Sequence, residues 1–244
     1  MKSTKIEWTE ATWNPSIGCS KVSAGCQNCY AETMARRLKA MGTKGYENGF
    51  EFSTMPDRLR QPLNTKKPTK FFVNSMSDLF HEKMPFAYLD AVFEVIEKTP
   101  WHTYQVLTKR EEVMSEYLKD NSLPKNVWLG VSVENQGTKH RIDYLRNVNA
   151  SIRFISIEPL LEGLGKINLK NIHWVIVGGE SGPKARPMKS EWVLNIKKQC
   201  EQQKVAFFFK QWGNWGADGV KRNKKLNGRK LDGKVYDEYP ELVG

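Results

Sequence analysis

From Thr69 onward, short apolar runs alternate with longer stretches in which apolar residues recur every three or four positions. Lys70–Val73, Tyr104–Leu107, Val127–Val133, Ile152–Ile157, Trp174–Val177 and Val205–Phe209 are compact and rich in Val, Ile, Leu or Phe. Such runs predict strands buried on both faces. Between them, Phe86–Lys98 carries Phe86, Leu89, Val92, Phe93 and Ile96 at helical spacing. Arg110–Leu118, Gln136–Arg146 and Glu191–Gln203 also fit helices. A seventh strand is expected at Ala11–Gly18, where Thr12, Trp13 and Ile17 favour extended backbone and Pro15 opposes it.

Strands of this kind, separated by helices, demand a parallel sheet with right-handed crossovers. We expect an α/β chain forming a full or partial (β/α) barrel of the TIM type rather than an open doubly wound sheet. The reason is that polar residues follow almost every strand, which is where barrel sites are assembled. They are Asn74, Ser75, Ser77 and Asp78; Thr108, Lys109 and Arg110; Glu134 and Asn135; Glu158; Gly178, Gly179, Glu180 and Ser181; and Lys210, Gln211 and Trp212. For Asp78, Thr108 and Ser190, capping of the next helix is an equal alternative. Glu134, Glu158 and Glu180 end three separate strands and are expected to converge on one polar site. The barrel is expected over 1–212, with an insertion at 42–69 to which no element is assigned. Residues 213–244 are read as a turn-rich extension packed on or beside it.

The chain has 244 residues, 39% of them hydrophobic and 11% aromatic, enough for a substantial core and too many for a disordered tail protein. No apolar run approaches the ~18 residues that cross a bilayer, and the first thirteen residues lack the apolar stretch of a secretory signal. A cytoplasmic location with no membrane partner is therefore expected. The formal charge is +11, and Lys221 to Lys230 holds six basic residues in ten. Phosphate neutralisation would make DNA or RNA a partner, with Trp212, Trp215 and Tyr236 available to stack on bases or to cover the barrel end. A basic run is also often only a solvated surface.

Cys19, Cys26 and Cys29 crowd into eleven residues as C-x6-C-x2-C, whereas Cys200 stands alone at helical spacing with Trp192 and Ile196. Three clustered thiols suit a metal site, either zinc or an iron–sulfur cluster. Zinc needs a fourth ligand, and only His81 is expected near. Three thiolates on a four-iron cluster leave one iron open. Motifs of P-loop, zincin and nucleophile-elbow enzymes are absent.

A three-cysteine loop after the first strand of a β/α barrel resembles the radical S-adenosylmethionine (SAM) superfamily. The blocks Trp13-Asn14-Pro15, Gly18-Cys19, Cys26-Gln27-Asn28-Cys29-Tyr30-Ala31-Glu32, Phe72 to Phe80, Gly178 to Gly182, Ala185-Arg186-Pro187 and Phe209 to Gly213 look more narrowly like the phage-associated three-Cys-motif family, which is largely uncharacterised. The likeness runs through Leu231-Asp232-Gly233 and so covers nearly the whole chain. The superfamily has a shorter first gap, C-x3-C-x2-C, and an aromatic residue before its last cysteine; this chain has Asn28 there and Tyr30 just beyond.

The resemblance implies a radical SAM barrel and a 4Fe–4S cluster held by Cys19, Cys26 and Cys29. SAM on the open iron would be cleaved by one electron to methionine and a 5′-deoxyadenosyl radical. Asn74, Ser75 and Asp78 would receive the methionyl end of SAM and Ser132 and Glu134 the ribose, with Tyr30 a further cofactor-binding candidate. Glu158, Glu180 and Lys210 are the catalytic candidates, and Arg186, Lys210, Gln211 and Trp212 the substrate contacts. An enzyme modifying or repairing nucleic acid or a nucleotide, served by an electron-donor protein, is the expected function. The alternative is a zinc-stabilised nucleic-acid-binding protein without activity.

Overall fold

The structure, a computed structural model, describes residues 4–241. The first three and last three residues of the expected barrel and extension lie outside the described residues. The strands are β1 (Ala11–Trp13), β2 (Ser16–Ile17), β3 (Ser53–Thr54), β4 (Lys70–Val73), β5 (Thr103–Thr108), β6 (Val127–Ser132), β7 (Ile152–Ile157), β8 (Trp174–Gly178) and β9 (Ala206–Gln211). The helices are α1 (Tyr30–Ala40), α2 (Pro56–Leu59), α3 (Phe86–Glu97), α4 (Glu111–Asp120), α5 (Arg141–Arg146), α6 (Ser190–Gln203) and α7 (Lys224–Asn227).

The main sheet has the order β1-β4-β5-β6-β7-β8-β9, and β1/β4, β4/β5, β7/β8 and β8/β9 pair in parallel. Strand order follows chain order without the reversal that marks a doubly wound sheet. With β1 and β9 left at the two edges, the class is α/β with a partial (β/α) barrel. Every residue of β6 and β8 is buried, as continuous apolar strands covered on both faces require.

Three elements differ from the sequence expectation. Pro15 divides the first strand: β1 joins the main sheet, whereas β2 pairs antiparallel with β3 from the insertion. The helix expected over Gln136–Arg146 is a 3-10 turn, Gln136–Thr138, followed by the short α5. Asn135 and Thr138 close a capping box on that turn, so the chain restarts before α5. Helix α1 was not assigned from the sequence, and its apolar face is made of small residues, with Leu38 partly buried against the same cluster. Ala31 and Ala35, one turn apart, are its buried residues, and its other positions are mainly strong helix formers.

The chain divides into two compact units within β6. The first holds the residues up to Val22, Cys29–Leu129 and Val148–Ser151; the second holds Ser23–Asn28, Gly130–Asn147 and the chain from Ile152 on. In the first, Trp13 and Phe71 flank Tyr104, each with ring centroids 5.6 Å away, and α3 buries Leu89, Val92, Phe93 and Ile96. In the second, Trp174 packs edge-on to Phe208, and α6 buries Val193, Ile196 and Cys200. The C-terminal stretch belongs to this second unit. It covers the exposed edge of β9 through an antiparallel bridge between Asp237 and Phe208 and a bond from Phe209 N to Tyr236 O. Trp174 Nε1 also donates to Glu238 O at 2.8 Å.

Candidate metal and active site

The cysteine segment begins where β2 ends. Gly18 N donates to Met76 O and Cys19 N to Phe50 O. Cys26 closes a single 3-10 turn, Ala24–Cys26, and Cys29 caps α1. None of the four cysteines is in a disulfide; Cys19, Cys26 and Cys29 are half-buried and Cys200 is buried. Cys29 packs against the apolar cluster of Ile17, Ala31, Ala35, Tyr46 and Met76. The Tyr30 hydroxyl donates to Ser75 O, fixing the start of α1 to the loop after β4.

In the first unit, Arg110 spends all five of its N–H donors around Cys19. Nε donates to Glu82 Oε2 at 2.6 Å, Nη1 to Asp78 Oδ2 at 3.1 Å and to Cys19 Sγ at 3.4 Å, and Nη2 to Ser20 Oγ at 2.7 Å and Ser20 O at 3.1 Å. Ser20 Oγ donates in turn to Glu82 Oε1 at 2.5 Å. His81 completes the set. Its Nδ1 accepts from Lys83 N, so in the neutral ring Nε2 carries the proton and donates to Ser20 Oγ at 3.2 Å. Burial, then the Arg110 charge, push the His81 pKa down and keep that ring neutral. Burial raises the Glu82 carboxyl, but Ser20, its own amide and Arg110 outweigh it and bring the pKa to about 2. Burial opposes the Arg110 charge, yet Asp78 and Cys19 raise its pKa overall.

Asp78 also accepts from Thr108 Oγ1, Lys109 N and Phe80 N, so its buried carboxylate ties the loop after β4 to the loop after β5. Asn74, at φ 59°, donates to Ser16 Oγ and accepts from Ser16 N. Ser75 Oγ donates to Asn14 Oδ1.

In the second unit, carboxylates at two strand ends meet Ser23–Asn28. Glu134, beyond β6, accepts from Ser23 Oγ at 2.7 Å and Arg141 Nη1 at 3.0 Å. Ser23 Oγ lies 3.7 Å from Cys26 Sγ. Because its one proton is used on Glu134, the thiol is the donor in that contact. Gly25 passes so close to Glu134 that a Cβ there would sit 2.4 Å from Oε1. Glu180, beyond β8, accepts from Asn28 Nδ2 at 3.1 Å, Arg186 N at 2.8 Å and Arg186 Nε at 2.9 Å on one oxygen, and from Arg186 Nη2 at 2.5 Å on the other. Arg186 reaches on to Ala24 O at 2.9 Å and Gln27 Oε1 at 3.3 Å. Burial raises the Glu180 carboxyl, but the guanidinium and amide of Arg186 and the Asn28 amide hold it below the ordinary carboxylate range.

Glu134 and Glu180 thus meet the cysteine segment, whereas the described contacts of Glu158 lie elsewhere. Glu158 Oε1 pairs with Lys210 Nζ at 3.0 Å, and Ser156 Oγ donates to Oε2 at 3.2 Å. Gly178 leaves room for that carboxylate: a Cβ there would lie 2.4 Å from Oε1. Gln211 Nε2 donates to Ser181 Oγ, Ser132 is buried with its carbonyl on Arg141 Nη1, and Trp212 lies in the core with Nε1 on Lys230 O. Sequence reasoning read Ser23 only as letting the backbone bend around a metal and gave no role to Asn28, Arg141, Glu82 or Arg110. Of these only Arg110 carried a signal, as one of the polar residues after a strand.

The donor chemistry fits an iron–sulfur cluster: three thiols outside any disulfide lie on one short segment, and a guanidinium donates to one sulfur. Among the described residues, no group of three or more His, Cys, Asp or Glu side chains is arranged as a metal site. A fourth ligand for zinc is not supplied by His81, whose two ring nitrogens are both engaged, or by Cys200, which is buried on α6. No helix among the described residues is long and apolar enough to cross a membrane.

No curated protein matches the sequence. Among solved structures, the chain is similar in fold to a point mutant of spore photoproduct lyase, with a TM-score of 0.56 and 13% identity, over 86% of this chain and 78% of that one. A second mutant of the same enzyme gives a TM-score of 0.50 and 16% identity, over 73% of this chain and 58% of the other. This chain therefore spans less than two thirds of that relative's length. At such identities the likeness is one of fold. Sequence membership is defined separately, by a pattern matching residues 3–240, and on it the chain belongs to the family described as Protein of unknown function (DUF5131).

Proposed function

We propose that this protein is a radical SAM enzyme in which Cys19, Cys26 and Cys29 hold a 4Fe–4S cluster. The observation that carries the reading is the cysteine segment itself: it follows the first strand of a radical SAM-type sheet, its cysteines are in no disulfide, and side chains from strand ends bind it within each unit. When bound, the cluster and SAM supply reductive carbon–sulfur cleavage to methionine and a 5′-deoxyadenosyl radical, with the electron taken from a separate donor protein. The chain's own residues bind and orient. Arg110 places a positive charge on the sulfur of Cys19. Ser75 and Tyr30, bonded to each other, border the start of α1 on the side expected to receive SAM.

Glu158 and Lys210 are the pair left for substrate. They are part-exposed, are bonded to each other, and make no bond to the cysteine segment among the described contacts. A carboxylate beside an ammonium can exchange its partner for a hydroxyl, amide or phosphate of a substrate. The substrate class that best suits the chain is a nucleic acid or nucleotide, on the strength of the +11 charge and the exposed Lys221, Lys224, Lys225 and Lys230.

The test is anaerobic reconstitution with iron and sulfide, then reduction in the presence of SAM. Formation of 5′-deoxyadenosine is expected; a protein that assembles no cluster, or one that never yields this product, overturns the reading. A salt-sensitive gel shift of labelled DNA or RNA supports the substrate class, and no binding at low salt removes it.

A further inference from the structure

Sequence reasoning placed Glu134 and Glu180 among groups that act on cofactor or substrate. Their partners indicate a different task. Glu134 is wholly buried and Glu180 is 7% exposed, and a buried carboxylate is stable only where donors meet it. The donors come from two sources: a nearby arginine, and the segment Ser23–Asn28. Each carboxylate therefore carries a charge fixed by its arginine and presents a remaining acceptor position to the cysteine segment. Arg186 does the same with opposite polarity, since one edge of its guanidinium lies on Glu180 while Nη2 and Nη1 reach Ala24 O and Gln27 Oε1.

The contacts cover both sides of Cys26. Ser23 and Ala24 are held before it, Gln27 and Asn28 after it. A single 3-10 turn has too few internal hydrogen bonds to keep its shape alone, and this one has no side-chain cap of its own. Gly25 supports the reading from the opposite direction, because the segment approaches Glu134 more closely than any residue with a Cβ allows.

We propose that Glu134, Glu180 and Arg186 are positioning residues: together they fix Ser23–Asn28 so that Cys26 is presented as a ligand. The consequence for cluster assembly rests on the function proposed above; the fixing of the segment does not.

The experiment separates the two. Hydrogen exchange of the metal-free protein is followed over peptides spanning 23–28 for Glu180→Gln and Glu134→Gln, with Glu201→Gln on α6 as the control. Ser23→Ala and Asn28→Ala delete only the segment's side of the contacts and keep the test available if a buried carboxylate variant fails to fold. Exchange in 23–28 is expected to rise about ten-fold or more in all four, the scale of losing charge-assisted hydrogen bonds, with the control unchanged. Iron bound after anaerobic reconstitution is expected to fall in all four, and in Ser23→Ala and Asn28→Ala it falls with melting temperatures near that of the wild type.

Unchanged exchange overturns the proposal. So does a loosened segment that still loads iron like the wild type. If the wild-type protein itself takes up no iron, the cluster reading fails, and the proposal is then decided by exchange alone.

Discussion

The two halves of the cysteine segment are held by opposite means. Around Cys19 the centre is a cation: Arg110 is buried, two carboxylates compensate it, and one of its donors lies on the sulfur itself. Around Cys26 the centres are anions: Glu134 and Glu180 are buried, each is compensated by an arginine, and the grip falls on Ser23, Asn28 and their neighbours. A guanidinium against sulfur favours a thiolate and the negative charge that a cluster brings. A carboxylate against sulfur would oppose both, and Glu134 is joined to Cys26 through the Ser23 hydroxyl. The first arrangement therefore supplies charge to a ligand, and the second supplies shape.

The largest expected effect is at the cationic centre. Arg110→Met leaves buried Asp78 and part-exposed Glu82 without their counter-ion, and we expect a loss of about 3 kcal/mol in urea denaturation, toward the lower end for a broken buried pair because Asp78 keeps three other donors. A loss below about 1 kcal/mol would mean that the guanidinium is not the keystone of that half.

Next is Gly25→Ala. Its new Cβ must displace a carboxylate that Arg141 holds in place, which should cost about 1–3 kcal/mol in thermal melting. Gly137→Ala, whose Cβ would meet nothing closer than 3.4 Å, should be nearly silent.

The pH dependence of stability is a finer probe. The Glu82 pKa falls from an ordinary 4.5 to about 2 on folding, so its contribution is complete above 4.5 and is lost as pH falls toward 2. Because the side chain is 48% exposed, solvent screening limits that contribution to about 1 kcal/mol. Glu82→Gln should flatten the stability profile between those pH values, and a profile as steep as the wild type would assign the acid sensitivity elsewhere.

Smallest is Glu158→Gln. It breaks a part-exposed pair outside both halves and should cost less than about 1 kcal/mol by urea midpoint. A larger loss would make Glu158 a structural residue and withdraw it from the substrate side.

Much of this was legible in the sequence. β4, β7 and β8 could be read because parallel strands are mostly apolar, and α3 because its stripe keeps helical spacing. The cysteine spacing pointed to a metal, and the residues after the strands pointed to the loops that bind the segment. Roles were harder to read. Spacing shows that Glu134, Glu158 and Glu180 end strands, but not which oxygen meets which donor. Ser23 and Asn28 looked like ordinary loop residues until a carboxylate more than a hundred positions away was seen against each. The break at Pro15 was anticipated as a weakness; the pairing of β2 with the insertion was not, since two-residue strands carry no periodicity.

The most direct measurement is iron and sulfide content, with the spectroscopic signature, after anaerobic reconstitution of the wild type and of Cys19→Ala, Cys26→Ala, Cys29→Ala and Cys200→Ala. The account predicts about four irons per chain in the wild type and in Cys200→Ala, and loss of the cluster in each of the other three. Stoichiometric zinc without iron in anaerobically isolated protein, or a cluster that survives loss of any one of the three, would contradict it.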